Sequence, residues 1–98
     1  MAAFFIAQYQ VNDADLYATY SAGAGPTLAQ YGGELVAFDV AAETIEGAPP
    51  GPQTVIIKFE SKEDAKTWYQ SEEYQAVVGK RLAATAGFSV ISEAMNLG

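Results

Sequence analysis

The chain has 98 residues, half of them hydrophobic, and 12 acids against 5 bases give it a net charge of −7. It has no cysteine and no histidine, which excludes disulfide staples, thiolate and imidazole metal sites, proximal-histidine haem, Ser-His-Asp triads and cysteine nucleophiles. The acidic balance argues against nucleic acid and anionic membrane surfaces as partners, and the length suits a single domain over residues 1–98.

Phe4–Val11 predicts a strand, aromatic and β-branched with partial alternation. Phe4 and Ile6 point one way and Phe5, Ala7, Tyr9 and Val11 the other, so both faces need cover. The apolar run from Met1 ends at Gln8 and has no basic residues before it, too short for a signal or a membrane span. Together with the missing cysteine, this predicts a cytoplasmic protein. Asn12-Asp13 offers a helix N-cap, with Asp15 in the first turn. Leu16, Tyr17 and Tyr20 then share one side of that helix. Gly23-Ala24-Gly25-Pro26 predicts a break, after which Pro26 opens a second piece carrying Leu28 and Tyr31 to a stop at Gly32-Gly33. Glu34–Val40 is the second strand, with a continuation to Ile45 through a bulge near Ala41-Ala42 left open. A Pro/Gly loop over residues 47–52 leads into Thr54–Phe59, the strongest strand pattern in the chain.

Ser61 and Ser71 are both predicted N-caps, each followed by acids in the first turn. The first opens a helix burying Ala65, Trp68 and Tyr69. The second opens a helix with Tyr74, Val78 and Leu82 as its apolar stripe and Val77 and Arg81 flanking it, ending at Gly87. Phe88–Met95 alternates as the last strand. The order β-α-β-β-α-β predicts an α+β, ferredoxin-like fold: a four-stranded antiparallel sheet in spatial order 4-1-3-2, with the helices on one face. That layout leaves the other apolar face bare, and the chain has no spare element to cover it. A second copy, packed sheet to sheet about a two-fold axis, is the expected cover.

Tyr31-Gly32-Gly33, Glu43-Thr44-Ile45-Glu46-Gly47, Val55–Ser61, Ala65–Gln75 and Arg81 together resemble the small bacterial thirteen-thirty domain-of-unknown-function family of the dimeric α/β-barrel superfamily. The Trp68-Tyr69-x-Ser71-x-x-Tyr74 run is the most specific part. The resemblance implies a ferredoxin-like protomer paired into a dimeric barrel. It implies no fixed reaction, because the superfamily includes cofactor-free monooxygenases, lactone isomerases, haem enzymes and proteins with no known activity. One departure stands out: Phe38-Asp39-Val40 replaces an Arg-Gly-Gly stretch common in the family.

All five bases lie between Lys58 and Arg81, so an anionic ligand must be met in the second half of the chain. Arg81 is the candidate anchor, a planar fork for a carboxylate or enolate; the alternative is a structural salt bridge or a stem lying along apolar surface. Trp68, Tyr69, Tyr74, Tyr17 and Tyr20 are candidate pocket walls, or else simply core. Asp39, Glu43 and Lys58 are candidate acid/base groups, against a reading as solvated edge charges. Trp68 with Asn12 or Asn96 matches the residue types of cofactor-free oxygenase sites. Glu72-Glu73 and Glu60, Glu63 and Asp64 are acidic clusters that the helix dipoles explain, so no metal site or cofactor is predicted. Gly23-x-Gly25-Pro26 is not a phosphate loop.

The predicted function is a cytoplasmic homodimer binding a small organic ligand between helices and sheet. The alternatives are a cofactor-free monooxygenase- or isomerase-like enzyme and a purely structural or interaction module. A closed pocket of about 300 Å³ or more beside Arg81 favours the first two, and a filled interior favours the third.

Overall fold

The computed structural model describes residues 1–95. The elements run β1 (Ala3–Val11), α1 (Ala14–Gln30), β2 (Glu34–Asp39), β3 (Gln53–Phe59), α2 (Lys62–Gln70), α3 (Glu72–Ala84) and β4 (Thr85–Glu93). The sheet is antiparallel in the order β2-β3-β1-β4, which is the ferredoxin-like arrangement expected. Ala3, Phe5, Ala7 and Tyr9 of β1 and Val55, Ile57 and Phe59 of β3 are buried beneath the helices. The intervening residues form the opposite face, where Ala37, Ile56, Ile6 and Val90 line up in one row across all four strands.

Asp13 caps α1 by accepting from the Leu16 amide at 3.0 Å. The helix then runs unbroken through Pro26, against the predicted break. Burial of Tyr20, Ala24 and Thr27 outweighs the local propensity of Gly and Pro. Gly23 has a packing role instead: a Cβ there would meet Val77 Cγ1 of α3 at 2.8 Å. The stop falls where expected. Gly32 takes a left-handed φ of 74°, and the Gly33 amide donates to the Leu28 carbonyl at 2.8 Å, closing a Schellman motif.

Two strand boundaries differ from expectation. β2 ends at Asp39 rather than continuing to Ile45, and its bulge lies between Leu35 and Ala37 rather than near Ala41-Ala42. Asp39 itself turns the chain, its carboxylate accepting from the Ala41 amide at 2.8 Å. Gly87 does not end α3 but sits inside β4 opposite Tyr9. A Cβ there would fall 2.2 Å from the Gln8 carbonyl oxygen, so the glycine serves close strand approach. The helix ends three residues earlier, where Thr85 Oγ1 donates to the loose Arg81 carbonyl at 2.7 Å.

Candidate functional site

One residue, Ser71, joins α2 to α3. Its extended backbone closes one helix and opens the next, and its hydroxyl donates to the Trp68 carbonyl (2.7 Å) and accepts from the Tyr74 amide (3.2 Å). This double cap brings Trp68 and Tyr74 together, with ring centroids 4.1 Å apart. Trp68 is anchored further by its indole N–H, which donates to Thr27 Oγ1 of α1 at 2.9 Å. Phe5 and Phe59 of the sheet pack on the same indole, at 5.2 and 5.4 Å.

The buried stripe of α3 is Tyr74, Val78, Arg81 and Ala84. Leu82, expected to belong to it, is 60 % exposed, while Arg81 is only 5 % exposed. An apolar side chain thus faces water and the neighbouring cation faces the interior. That inversion of the usual preference is common where a site, not the core, dictates the residue.

Arg81 meets no carboxylate there among the described residues. Its guanidinium carbon lies 5.7 Å from the centre of the Tyr9 ring, and its Nε is buried with no hydrogen-bond partner. Its position in the last turn of α3 places it near the negative end of the helix dipole. Burial opposes its charge, but the oxygens of Tyr74, Tyr20 and Tyr9 favour it more strongly, and its pKa lies above the ordinary arginine value. Those tyrosines are themselves neutral at physiological pH. Burial, with the Tyr17 hydroxyl bond second, pushes Tyr9 well above the usual tyrosine range. Tyr20 is pushed up by burial and then by Tyr74, and Tyr74 is raised by burial. The guanidinium therefore faces hydroxyl dipoles rather than a counter-charge.

The hydroxyls are paired: Tyr9 with Tyr17 and Tyr20 with Tyr74, each at 2.8 Å. A hydroxyl pair uses one of its two hydrogens internally and leaves the other to be donated. Arg81, Tyr9, Tyr17, Tyr20 and Trp68 line a cavity of about 100 Å³ between α1 and the sheet, with Phe5, Val55 and Ile57 in its floor and Leu35 and Phe38 at its mouth, which is smaller than the closed pocket of about 300 Å³ expected of a ligand-enclosing interior. Its lining contains one cation and several hydroxyls but no carboxylate, amine or other general base. Such a room can hold and neutralise an oxyanion, and it has no group to take a proton from a carbon acid.

The predicted residues divide as follows. Arg81, Trp68, Tyr17 and Tyr20 come together around the cavity. Tyr74 stands behind it, fully buried, positioning the Tyr20 hydroxyl. Tyr69 lies apart, lining a separate hollow of about 210 Å³ with Phe5, Ser89, Val90 and Ile91. Asp39, Glu43 and Lys58 are all exposed and none lines the cavity, so they do not serve it as acid or base. Lys58 and Glu34 face each other across β2 and β3 at an open surface dent of about 390 Å³. Asn12 is exposed between β1 and α1, its amide on the Ala84 carbonyl, and does not join Trp68. Asn96 lies outside the described residues. Glu73 accepts a hydrogen bond from Tyr31 at 2.8 Å, and among the described residues no three acidic groups converge as a metal site would require. No helix among the described residues is long and apolar enough to cross a membrane.

Tyr9 is the site residue that sequence reasoning missed. Its signal was present: it alternates in phase with the buried Phe5 and Ala7.

A family model described as a domain of unknown function (DUF1330) matches residues 2–95. No curated relative matches the sequence. Among solved structures, a protein of unknown function from Rhodopseudomonas palustris superposes with a TM-score of 0.78 at 16% identity, over 97% of this chain and 83% of that one. SnoaB, a cofactor-independent oxygenase from Streptomyces nogalater, gives 0.70 at 11% identity over 97% and 94%. A dimeric ferredoxin-like protein of unknown function from Bacteroides fragilis gives 0.58 at 12% identity over 95% and 96%. At these identities the likeness is one of fold.

Proposed function

The chain belongs to the DUF1330 family, and on that premise we propose that it is a small-molecule binding protein, a single-domain cytoplasmic homodimer holding an organic oxyanion between its helices and its sheet. The observation that carries this reading is Arg81: a buried cation with an orphaned Nε, surrounded by hydroxyls with hydrogens to donate. The tyrosine oxygens already favour the charge, and a bound carboxylate or enolate would add a counter-charge and an acceptor within reach of the free Nε. Dimerisation is supported by the apolar row Ala37, Ile56, Ile6 and Val90 on the uncovered sheet face and by the dimeric state of the Bacteroides fragilis fold relative.

The test pairs benzoate with benzamide, which share shape and differ in charge, in calorimetric titrations of the whole protein. Benzoate is expected to bind about ten- to a hundredfold tighter, the worth of a charge-assisted hydrogen bond, and Arg81→Met is expected to erase the difference. Equal affinity for the two, or a preference that survives Arg81→Met, refutes the reading.

A second reading, a cofactor-free monooxygenase-like enzyme, draws support from the SnoaB fold relative and from the capacity of Arg81 to stabilise an enolate. The absence of a base from the cavity lining weighs against it, since substrate deprotonation would have to come from elsewhere. Oxygen uptake with an enolisable aromatic ketone tests it; no uptake above the blank rejects it.

A further inference from the structure

We infer that the ligand of the Arg81 site is amphipathic: an oxyanion head seated in the inner room and an apolar tail lying over Leu35 and Phe38 at its mouth. This rests on the binding reading above and names its ligand class. Volume carries the first step. The whole cavity, with Leu35 and Phe38 at its mouth, is about 100 Å³, whereas a site enclosing a drug-sized ligand has about 300–1,000 Å³. A cavity of that size encloses the charged head of an organic anion and not the whole molecule. The rest of any organic anion must lie outside it.

What lies outside is apolar. Leu35 and Phe38 pair with Ile57 and Val55, whose side chains are buried beneath the helices, so they occupy the same side of the sheet. Yet they are 50 % and 49 % exposed, because they stand on the edge strand β2. Both line the cavity, as does the half-buried Leu28. Across from them α1 presents Ser21 and Gly25, both exposed. A Cβ at Gly25 would meet nothing within 4 Å, so there is open space at that flank of the mouth. A buried cation therefore continues outward into an uncovered apolar shelf, a sequence of environments that matches a hydrophobic carboxylate head first. An α-amino carboxylate is disfavoured, since its ammonium would sit beside Arg81 in a lining without carboxylates.

The test is a calorimetric series of butanoate, hexanoate, octanoate and decanoate on the full chain, each with its primary amide as control. For the carboxylates, Kd is expected to fall about two- to fourfold per added methylene. The double variant Leu35→Ser/Phe38→Ser is expected to lose the dependence on length. Ser21→Trp, an exposed helix position that narrows the mouth without touching the sheet, gives the same loss by an independent route. α-Aminooctanoate is expected to bind at least about tenfold more weakly than octanoate, the discrimination set by one like-charge pair. A flat wild-type series whose affinity still requires Arg81 overturns the amphipathic ligand and leaves anion binding standing. A length dependence shared by the amides or by Arg81→Met overturns it as non-specific adsorption. If Leu35→Ser/Phe38→Ser halves the mass in sedimentation, the shelf belongs to a protomer contact and the inference falls. If no alkanoate, butanoate included, gains affinity from Arg81, the binding reading fails with it.

Discussion

Replacing Arg81 with methionine should leave the stability of the ligand-free protein nearly unchanged, because the guanidinium serves a ligand and not the fold. The side chain is 5 % exposed and its Nε has no partner. An unsatisfied buried donor costs about 1–3 kcal/mol, and exchanging buried ionic groups for apolar ones of similar volume is often neutral or stabilising by about 1–4 kcal/mol. Against this stand the contact with the Tyr9 ring at 5.7 Å, worth about 0.5–2 kcal/mol, and the helix-terminus dipole, worth about 0.3–1 kcal/mol. These contributions nearly cancel, so Arg81→Met should change stability by less than about 1 kcal/mol, which for a domain of this size keeps the Tm change within about 4–8 °C. Thermal melts at pH 7 without ligand, followed by circular dichroism, measure it directly. The same variant should gain nothing from added benzoate. A fall in Tm well beyond that would mean that the guanidinium holds the fold together, and the reading of Arg81 as a ligand anchor would be wrong.

Alkali should unfold the protein through its tyrosines. Tyr9, Tyr20 and Tyr74 are all raised by burial, so in the folded state they keep protons that the unfolded chain loses near pH 10. Their contribution is complete below about pH 10 and declines above it, by about 1.4 kcal/mol per pH unit for each of Tyr9 and Tyr20, with Tyr74 acting in the same direction. Urea melts at pH 8 to 11.5 should show a plateau followed by that slope, and undiminished stability at pH 11 would contradict it. Thr27→Val removes the acceptor of the Trp68 indole N–H at nearly constant volume. It should destabilise by about 1–3 kcal/mol in urea, and a neutral result would show that the indole finds another acceptor. Ile6→Glu with Ile56→Glu places two adjacent charges in the apolar row of the open sheet face. Sedimentation should then fall from about twice 10.4 kDa to one copy, with the helix-side core intact; a wild type already monomeric would remove the case for sheet-to-sheet pairing.

The sheet order was legible because β1 and β3 carry dense alternating apolar patterns and because handedness leaves few ways to connect the elements. The helix caps at Asp13, Ser61 and Ser71 were legible because one side-chain oxygen and one amide decide each. The continuity of α1 was not. Whether Gly23-Ala24-Gly25-Pro26 breaks a helix depends on Val77, more than fifty residues away, and local propensity carries no such information. Gly87 failed for the same reason, its small size being set by the Gln8 carbonyl across the sheet. In the site, Arg81 stood out through the confinement of the bases, and Tyr17, Tyr20 and Trp68 through their helix faces. The swap of Arg81 and Leu82 between interior and surface was invisible, since periodicity places the leucine inside. Tyr69 and Tyr74, adjacent to the cluster in sequence, diverge from the cavity because the Ser71 cap reorients the chain between α2 and α3.

The register of β1 has a consequence for synthesis. Its two neighbours are β3 and β4; the adjacent β2 is not one of them. The pairing with β4 runs from Ala3 opposite Glu93 to Val11 opposite Thr85, and just beyond it the Ala94 amide meets the Ala2 carbonyl at 2.8 Å. On the ribosome, at about 5–20 residues per second, β1 leaves roughly 4–16 s before its last partner is made. Until β3 is made Phe4-Phe5-Ile6-Ala7 is an apolar strand with both edges unmet, and from then until β4 is made one edge stays open, the kind of segment chaperones hold and aggregates recruit. The strand at the centre of the finished sheet is thus the most vulnerable part of the nascent chain, and substitutions that slow completion of β4 will reduce yield through β1.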